Sequence, residues 1–173
     1  MKNGETRVDN LQTLGVIYLH TRVANVLNEG MFPNLTKLTL QRKEGSQEKD
    51  ELLLGKALQC LNKLVTLKLI GIRETPLDPN VFPTSLTKIT INYFDIKDSR
   101  FIKTLGQLPN LQILKLFYGW IHEDINCAAG DFPQLQFLHV VETILSGRWK
   151  KEPGAMPHIQ HCFGLKLESE MIQ

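Results

Sequence analysis

Only three cysteines occur among 173 residues, Cys60, Cys127 and Cys162, and they are widely scattered. So few thiols exclude a disulfide framework and favour a reduced, cytosolic setting. The sequence also shows no signal-peptide pattern and no apolar run of the roughly 20 residues that a membrane-spanning helix needs. Stable membrane insertion is therefore not expected. Neither sign of charge prevails: 20 Lys and Arg against 18 Asp and Glu leave +2, too little for bulk attraction to nucleic acid or lipid. Any basic effect must be local. A Gly-x-x-x-x-Gly-Lys-Ser/Thr phosphate loop is missing as well, and Gly55-Lys56-Ala57 is only a superficial echo of one. The chain is expected to hold no nucleotide and no other cofactor of its own.

What the sequence does contain is a phrase that keeps returning. Phe32-Pro33-Asn34-Leu35-Thr36-Lys37-Leu38-Thr39-Leu40, Leu108-Pro109-Asn110-Leu111-Gln112-Ile113-Leu114-Lys115-Leu116 and Phe132-Pro133-Gln134-Leu135-Gln136-Phe137-Leu138-His139-Val140 match position for position. Looser copies begin near Leu11, Leu61, Phe82 and Met156. The first apolar anchors are Leu11, Leu35, Leu64, Leu86, Leu111, Leu135 and Ile159, separated by 24, 29, 22, 25, 24 and 24 residues. These steps fit leucine-rich repeats, in which Leu-x-x-Leu-x-Leu is a short strand whose last two apolar residues face the core. No single repeat can bury its own apolar face, so neighbours must stack. The expected fold is an α/β leucine-rich-repeat solenoid of about seven repeats, one domain over residues 1–173, with parallel strands on a concave face and short helices and loops behind. Proline ahead of each anchor supports this, because it has no N–H to give a ladder and biases its predecessor toward extended geometry.

Between the phrases, Gln41 to Asp50 reads as an exposed charged insertion that accounts for the long 29-residue step. Asp50 to Leu61 follows as a helix, with Leu54, Leu58 and Leu61 on one face and acids at its positive end. Asp98 to Gly106 reads as a second helix, capped at Asp98 or Ser99 and stopped by Gly. Ile70 to Pro79, Tyr118 to Asp131 and Arg148 to Pro157 read as loops or irregular returns. The polar opening, Met1 to Asn10, lacks an amphipathic cap, which leads us to expect more protein ahead of it.

Phe82-Pro83-Thr84-Ser85-Leu86, Leu105 to Leu116, Gly130-Asp131-Phe132-Pro133-Gln134-Leu135, and Trp149 followed by Gly154-Ala155-Met156-Pro157 resemble, in that order, the repeat region of plant intracellular disease-resistance receptors of the coiled-coil, nucleotide-binding class. The resemblance covers roughly residues 10 to 164. It implies a protein that senses a pathogen effector, directly or through a guarded host protein, and that restrains a nucleotide-binding module in which ADP or ATP is held. The chain departs from regular repeats where a ladder Asn is usual: Leu19, Lys43, Ile72, Phe94, Gly119 and Thr143 stand there. Its turns must be satisfied otherwise, and an irregular horseshoe is expected. A stand-alone adaptor, such as a substrate receptor of a ubiquitin ligase, is the alternative, although no F-box-like helix set precedes the repeats.

The strand register puts Lys37, Lys68, Lys88 and Lys115 outward on the concave face, near Thr39, Thr66, Thr90 and Asn92. Toward the C-terminus the outward residues become Ile113, Phe117, Phe137, His139, Val141, His161 and Phe163. We take Lys37, Lys68, Lys88, Lys115, Phe117, Phe137, His139 and His161 as candidate protein-binding residues, a basic part for acidic patches and an aromatic part for a protein ligand. The structural alternative is that the lysines only prevent edge association and the aromatics pack under loops.

Chemistry has little support. His158 and His161 diverge on an extended strand, with no second Cys/His group to complete a metal site. Cys60 and Cys162 fall at core-like positions and read as small apolar fillers. The acid pairs Asp95/Asp98 and Glu123/Asp124 lack a matched base and read as solvated loop charge. Asn34-Leu35-Thr36 is a formal glycosylation sequon but falls within an expected strand. An enzyme is not expected.

Overall fold

A computed structural model describes residues 7–73, 76–165 and 168–169. Seven parallel strands succeed one another in a single sheet: β1 Thr13–Leu19, β2 Lys37–Arg42, β3 Thr66–Ile70, β4 Lys88–Asn92, β6 Ile113–Ile121, β8 Phe137–Leu145 and β10 His161–Phe163. A two-residue strand, β5 (Asp95–Ile96), pairs beside β6. Three further strands, β7 Ile125–Cys127, β9 Trp149–Lys151 and β11 Glu168–Ser169, form a second parallel sheet. Helices α1 Thr21–Asn28, α2 Asp50–Leu58 and α3 Arg100–Gly106 and a 3-10 turn at Pro79–Val81 occupy other returns.

The repeated phrase dictates this order. Each copy places its two inward residues opposite those of the next: Leu38, Leu67, Ile89, Leu114 and Leu138 make one row, and Leu40, Leu69, Ile91, Leu116 and Val140 the next. All are 3% exposed or less, as are the anchors Leu35, Leu64, Leu86, Leu111 and Leu135. Each such leucine contributes about 2 kcal/mol relative to exposure. In the first copy a bulge near Gly15 shifts the pairing, so Ile17 rather than Val16 lies opposite Leu40.

The turns ahead of the strands are tied to one another by side chains of the following repeat. In three copies a side chain one or two residues after the Pro reaches back one repeat: Asn34 Nδ2 donates to Asp9 O (2.8 Å), Ser85 Oγ to Leu64 O (2.8 Å) and Asn110 Nδ2 to Thr84 O (2.8 Å). Asn34 therefore lies in the turn before β2 and not within a strand. Two returns share a second device: Gly130 and Gly154 have φ of 90° and 89°, followed two residues later by Phe132 and Met156 at 55° and 48°. Both large side chains are fully buried, and Asp131 caps its turn by accepting from Ala128 N (2.8 Å).

The expected helices are present in shortened form, with Leu54, Leu58 and Leu61 buried together. For α3 the cap is shared: Asp98 Oδ1 accepts from Arg100 N (2.9 Å), while Glu123 accepts from Ser99 N (3.0 Å). The charged insertion is only partly a solvated loop. Asp50 is buried, pairs with Arg42 and accepts from Arg73 N (3.0 Å), and Arg42 also donates to Ser46 O (2.8 Å). Two segments read as irregular form strands: Tyr118 to Asp131 supplies the end of β6 and all of β7, and Arg148 to Pro157 supplies β9. β7 and β9 are extended because they pair with each other, with Trp149 of β9 buried and donating Nε1–H to Cys127 Sγ (3.3 Å). Burial pushes the Cys127 thiol up to about 11. Cys162 shares the row of Leu138 but is exposed, because among the described residues no strand pairs with the far side of β10.

Candidate protein-recognition surface

The outward face of the main sheet carries three rows. The first is Thr13, Lys37, Thr66, Lys88, Ile113, Phe137 and His161; the second is Val16, Thr39, Lys68, Thr90, Lys115, His139 and Phe163. The third is Tyr18, Gln41, Ile70, Asn92, Phe117 and Val141. No Asp or Glu occurs in any of them. The four lysines come one each from β2, β3, β4 and β6 and alternate between two rows, so they form a zigzag and not a single line. Strand and residue spacings put diagonal neighbours about 8 Å apart at the backbone. That is comparable to the Debye length in physiological salt, so their fields add. Among the described residues none of the four takes part in an ion pair.

The aromatic part begins where the lysines stop. Phe137 stacks on His161 with ring centroids 4.9 Å apart, and His139 lies tilted against Phe163 at 6.1 Å. His139 is held below its ordinary value of 6.5, first by burial and then by the neighbouring charges of Lys115 and His161. Phe117 is half-buried in the third row, tilted against Tyr118 at 6.4 Å.

Beyond the third row lies a group of residues that alternation along the strands hides. Gly71, Tyr93, Tyr118 and Glu142 each follow a third-row residue, and each has a left-handed backbone, with φ of 70°, 55°, 56° and 50°. This kink costs roughly 1–2 kcal/mol at a residue with a Cβ, offset by continued pairing. Gly71 N donates to Asn92 O (2.9 Å) and Tyr93 N to Phe117 O (3.0 Å). Its consequence is a change of phase. Strict alternation after Leu116 would turn Tyr118 inward, but Tyr118 is 50% exposed; Tyr93 is likewise 61% exposed, while Phe94 turns in. Past the kink the outward residues are Trp120, next to Asp95 and Ile144 on neighbouring strands.

Tyr93 and Tyr118 stack at 5.3 Å, and Trp120 stacks on His122 at 5.1 Å. His122 Nε2 meets Asp95 Oδ1 at 2.5 Å, and Trp120 Nε1 donates to Ser146 Oγ at 3.0 Å. This ridge is pinned in place before any partner arrives. Gly119 makes it possible: a Cβ there would lie 2.4 Å from the Phe94 ring. The acid pairs beside the ridge are also structural, since Asp98 pairs with Arg100 and Asp124 Oδ1 accepts from Arg148 N (2.8 Å). Among the described residues no cluster of His, Cys, Asp and Glu is arranged to hold a metal ion.

Comparison with known proteins matches this chain to short stretches of much longer plant proteins. It is 27% identical to tomato ToMV resistance protein Tm-2(2) over 139 residues, which is 78% of the chain and 16% of that protein. Two Arabidopsis thaliana proteins, probable disease resistance proteins RF45 and RDL5, are each 30% identical to it over 155 residues, or 86% of the chain and 15% of theirs. Its relatives are plant disease resistance proteins. The chain spans about one-sixth of their length, and no protein-family model matches it. Among the described residues no helix is long and apolar enough to cross a membrane.

Proposed function

We propose that this chain is the leucine-rich-repeat recognition segment of a plant cytoplasmic immune receptor, with the main sheet lining the concave face of an irregular horseshoe. In this reading the lysine zigzag holds an acidic protein surface, either on an adjoining nucleotide-binding module that it restrains or on an effector or guarded host protein. The single observation that carries it is the three acid-free outward rows with their four lysines, none of them in an ion pair among the described residues. Unpaired cations concentrated on one face raise association rates and select acidic partners. The names of the relatives support the defence role. The segment acts by binding, without catalysis, and ADP or ATP belongs to the nucleotide-binding module.

Mixing the chain with a nucleotide-binding domain from a receptor of this class tests the autoregulatory part. The double reversal Lys68→Glu and Lys88→Glu is expected to weaken association about tenfold at low salt, and less as salt rises. Equal affinity of wild type and variant at every salt concentration defeats the reading.

A further inference from the structure

We propose that the ridge of Tyr93, Tyr118, Trp120 and Ile144 is the second half of the lysine site, and that the two are bridged by one extended acidic polypeptide segment carrying an apolar side chain. The inference rests on the proposed role of the lysines and adds the chemistry of their partner. Lys88 lies on β4 just ahead of Tyr93, and Lys115 lies on the same strand as Tyr118 and Trp120. The two chemistries therefore sit on the same pair of neighbouring repeats.

Lys115 and Trp120 are five positions apart, at most about 16 Å of strand given the kink at Tyr118. Roughly five residues of extended peptide cover that distance. Charge sets the direction: the lysine rows contain no acid, so carboxylates belong over Lys88 and Lys115. On the ridge Asp95 is engaged by His122 and Glu142 is exposed, so the apolar end of the ligand belongs there. Tyr and Trp offer large apolar area with little rotamer freedom to lose, the usual character of a binding hot spot. Here the stacks and the Trp120–Ser146 hydrogen bond have already removed part of that freedom.

The chain's two tryptophans make the test internal. Trp120 is 45% exposed on the ridge, and Trp149 is buried in the second sheet. The probe is a capped peptide of three glutamates, a glycine and two leucines, titrated into isotopically labelled protein while the two indole N–H signals are followed. The Trp120 signal is expected to shift saturably and the Trp149 signal to stay. Lys88→Glu with Lys115→Glu should raise Kd about tenfold, and Trp120→Ala about fivefold, with every Kd read by isothermal titration calorimetry of the same peptide. Replacing the leucines by serines should weaken binding to wild type but not to Trp120→Ala. An unchanged Trp149 signal in each variant shows that it is folded. If Trp120→Ala and the serine peptide both leave Kd unchanged while lysine reversal raises it, the bridging proposal is wrong and the lysine site stands. If lysine reversal also has no effect, both fall.

Discussion

The first and last thirds of the molecule share one strand phrase but return behind it by different means. Between β1 and β3 the chain returns through α1 and α2, which pack together and bury Ala24, Leu27, Leu54, Ala57 and Leu58. Beyond β6 it returns as extended chain, and β7, β9 and β11 add a second sheet with Ile125, Cys127 and Trp149 inside. The strand side tolerates little change, since each apolar residue must meet its counterpart one repeat away. The returns have only to fill volume and satisfy their backbone. A helix does so within itself, whereas a three-residue strand needs a neighbour of the same kind.

That contrast can be broken by mutation. Trp149→Ala should have the largest effect, about 3–5 kcal/mol, because it empties the centre of the second sheet. Urea unfolding gives the magnitude, and hydrogen exchange should show protection lost in β7 and β9 well before α1 and α2. Uniform loss across both ends would mean that they fold as one unit. On the helical side, Asp50→Leu leaves the Arg42 guanidinium without its buried carboxylate and should cost about 3 kcal/mol. Arg42→Met in that background is expected to restore much of it, read as the denaturation midpoint.

Gly119→Ala sharpens the comparison at the ridge. The added methyl meets the Phe94 ring and should cost about 1–3 kcal/mol. Near-ultraviolet circular dichroism should report the displaced Tyr93–Tyr118 stack. A smaller effect at the two-sheet end depends on pH. Cys127 has an ordinary value of 9.0 and lies at about 11 in the fold. The unfolded chain therefore loses this proton first, and stability present below pH 9 declines as pH rises toward 11. The melting temperature should fall across that window, with a flatter profile in Cys127→Ala; identical profiles would remove the thiol from the account. His139 has the opposite sense, its value being depressed, so its contribution is present above pH 6.5 and declines as pH falls through its folded value. His139→Gln should flatten the melting profile below neutrality by a small amount.

Much of the strand side was legible because it obeys one rule. Leu-x-x-Leu-x-Leu returns at nearly constant spacing, and only one register keeps every apolar pair inside. Three features escaped for identifiable reasons. Helix α1 has no side-chain N-cap from His20 and is closed instead by Glu48, which accepts from Thr21 N (3.1 Å) 27 residues away. Strands β7 and β9 are too short to show a period. The ridge was hidden because a left-handed residue, usually announced by Gly, is here Tyr93, Tyr118 or Glu142. One reversal of phase moves residues that alternation assigns to the core onto the surface. The lysines were legible as outward-facing, but their split between two rows required the cross-strand register.

The sequence by itself determined the repeat, the inward leucines, the parallel order of the strands and an outward surface changing from lysine to aromatic, because each follows from local spacing and the need to bury apolar area. The tertiary structure decided that the later returns became strands, which distant acids closed a helix start and where the exposed aromatics emerged. Those outcomes depend on partners some 25 residues away, whose hydrogen bonds and packing outweigh the weak preferences of any short segment.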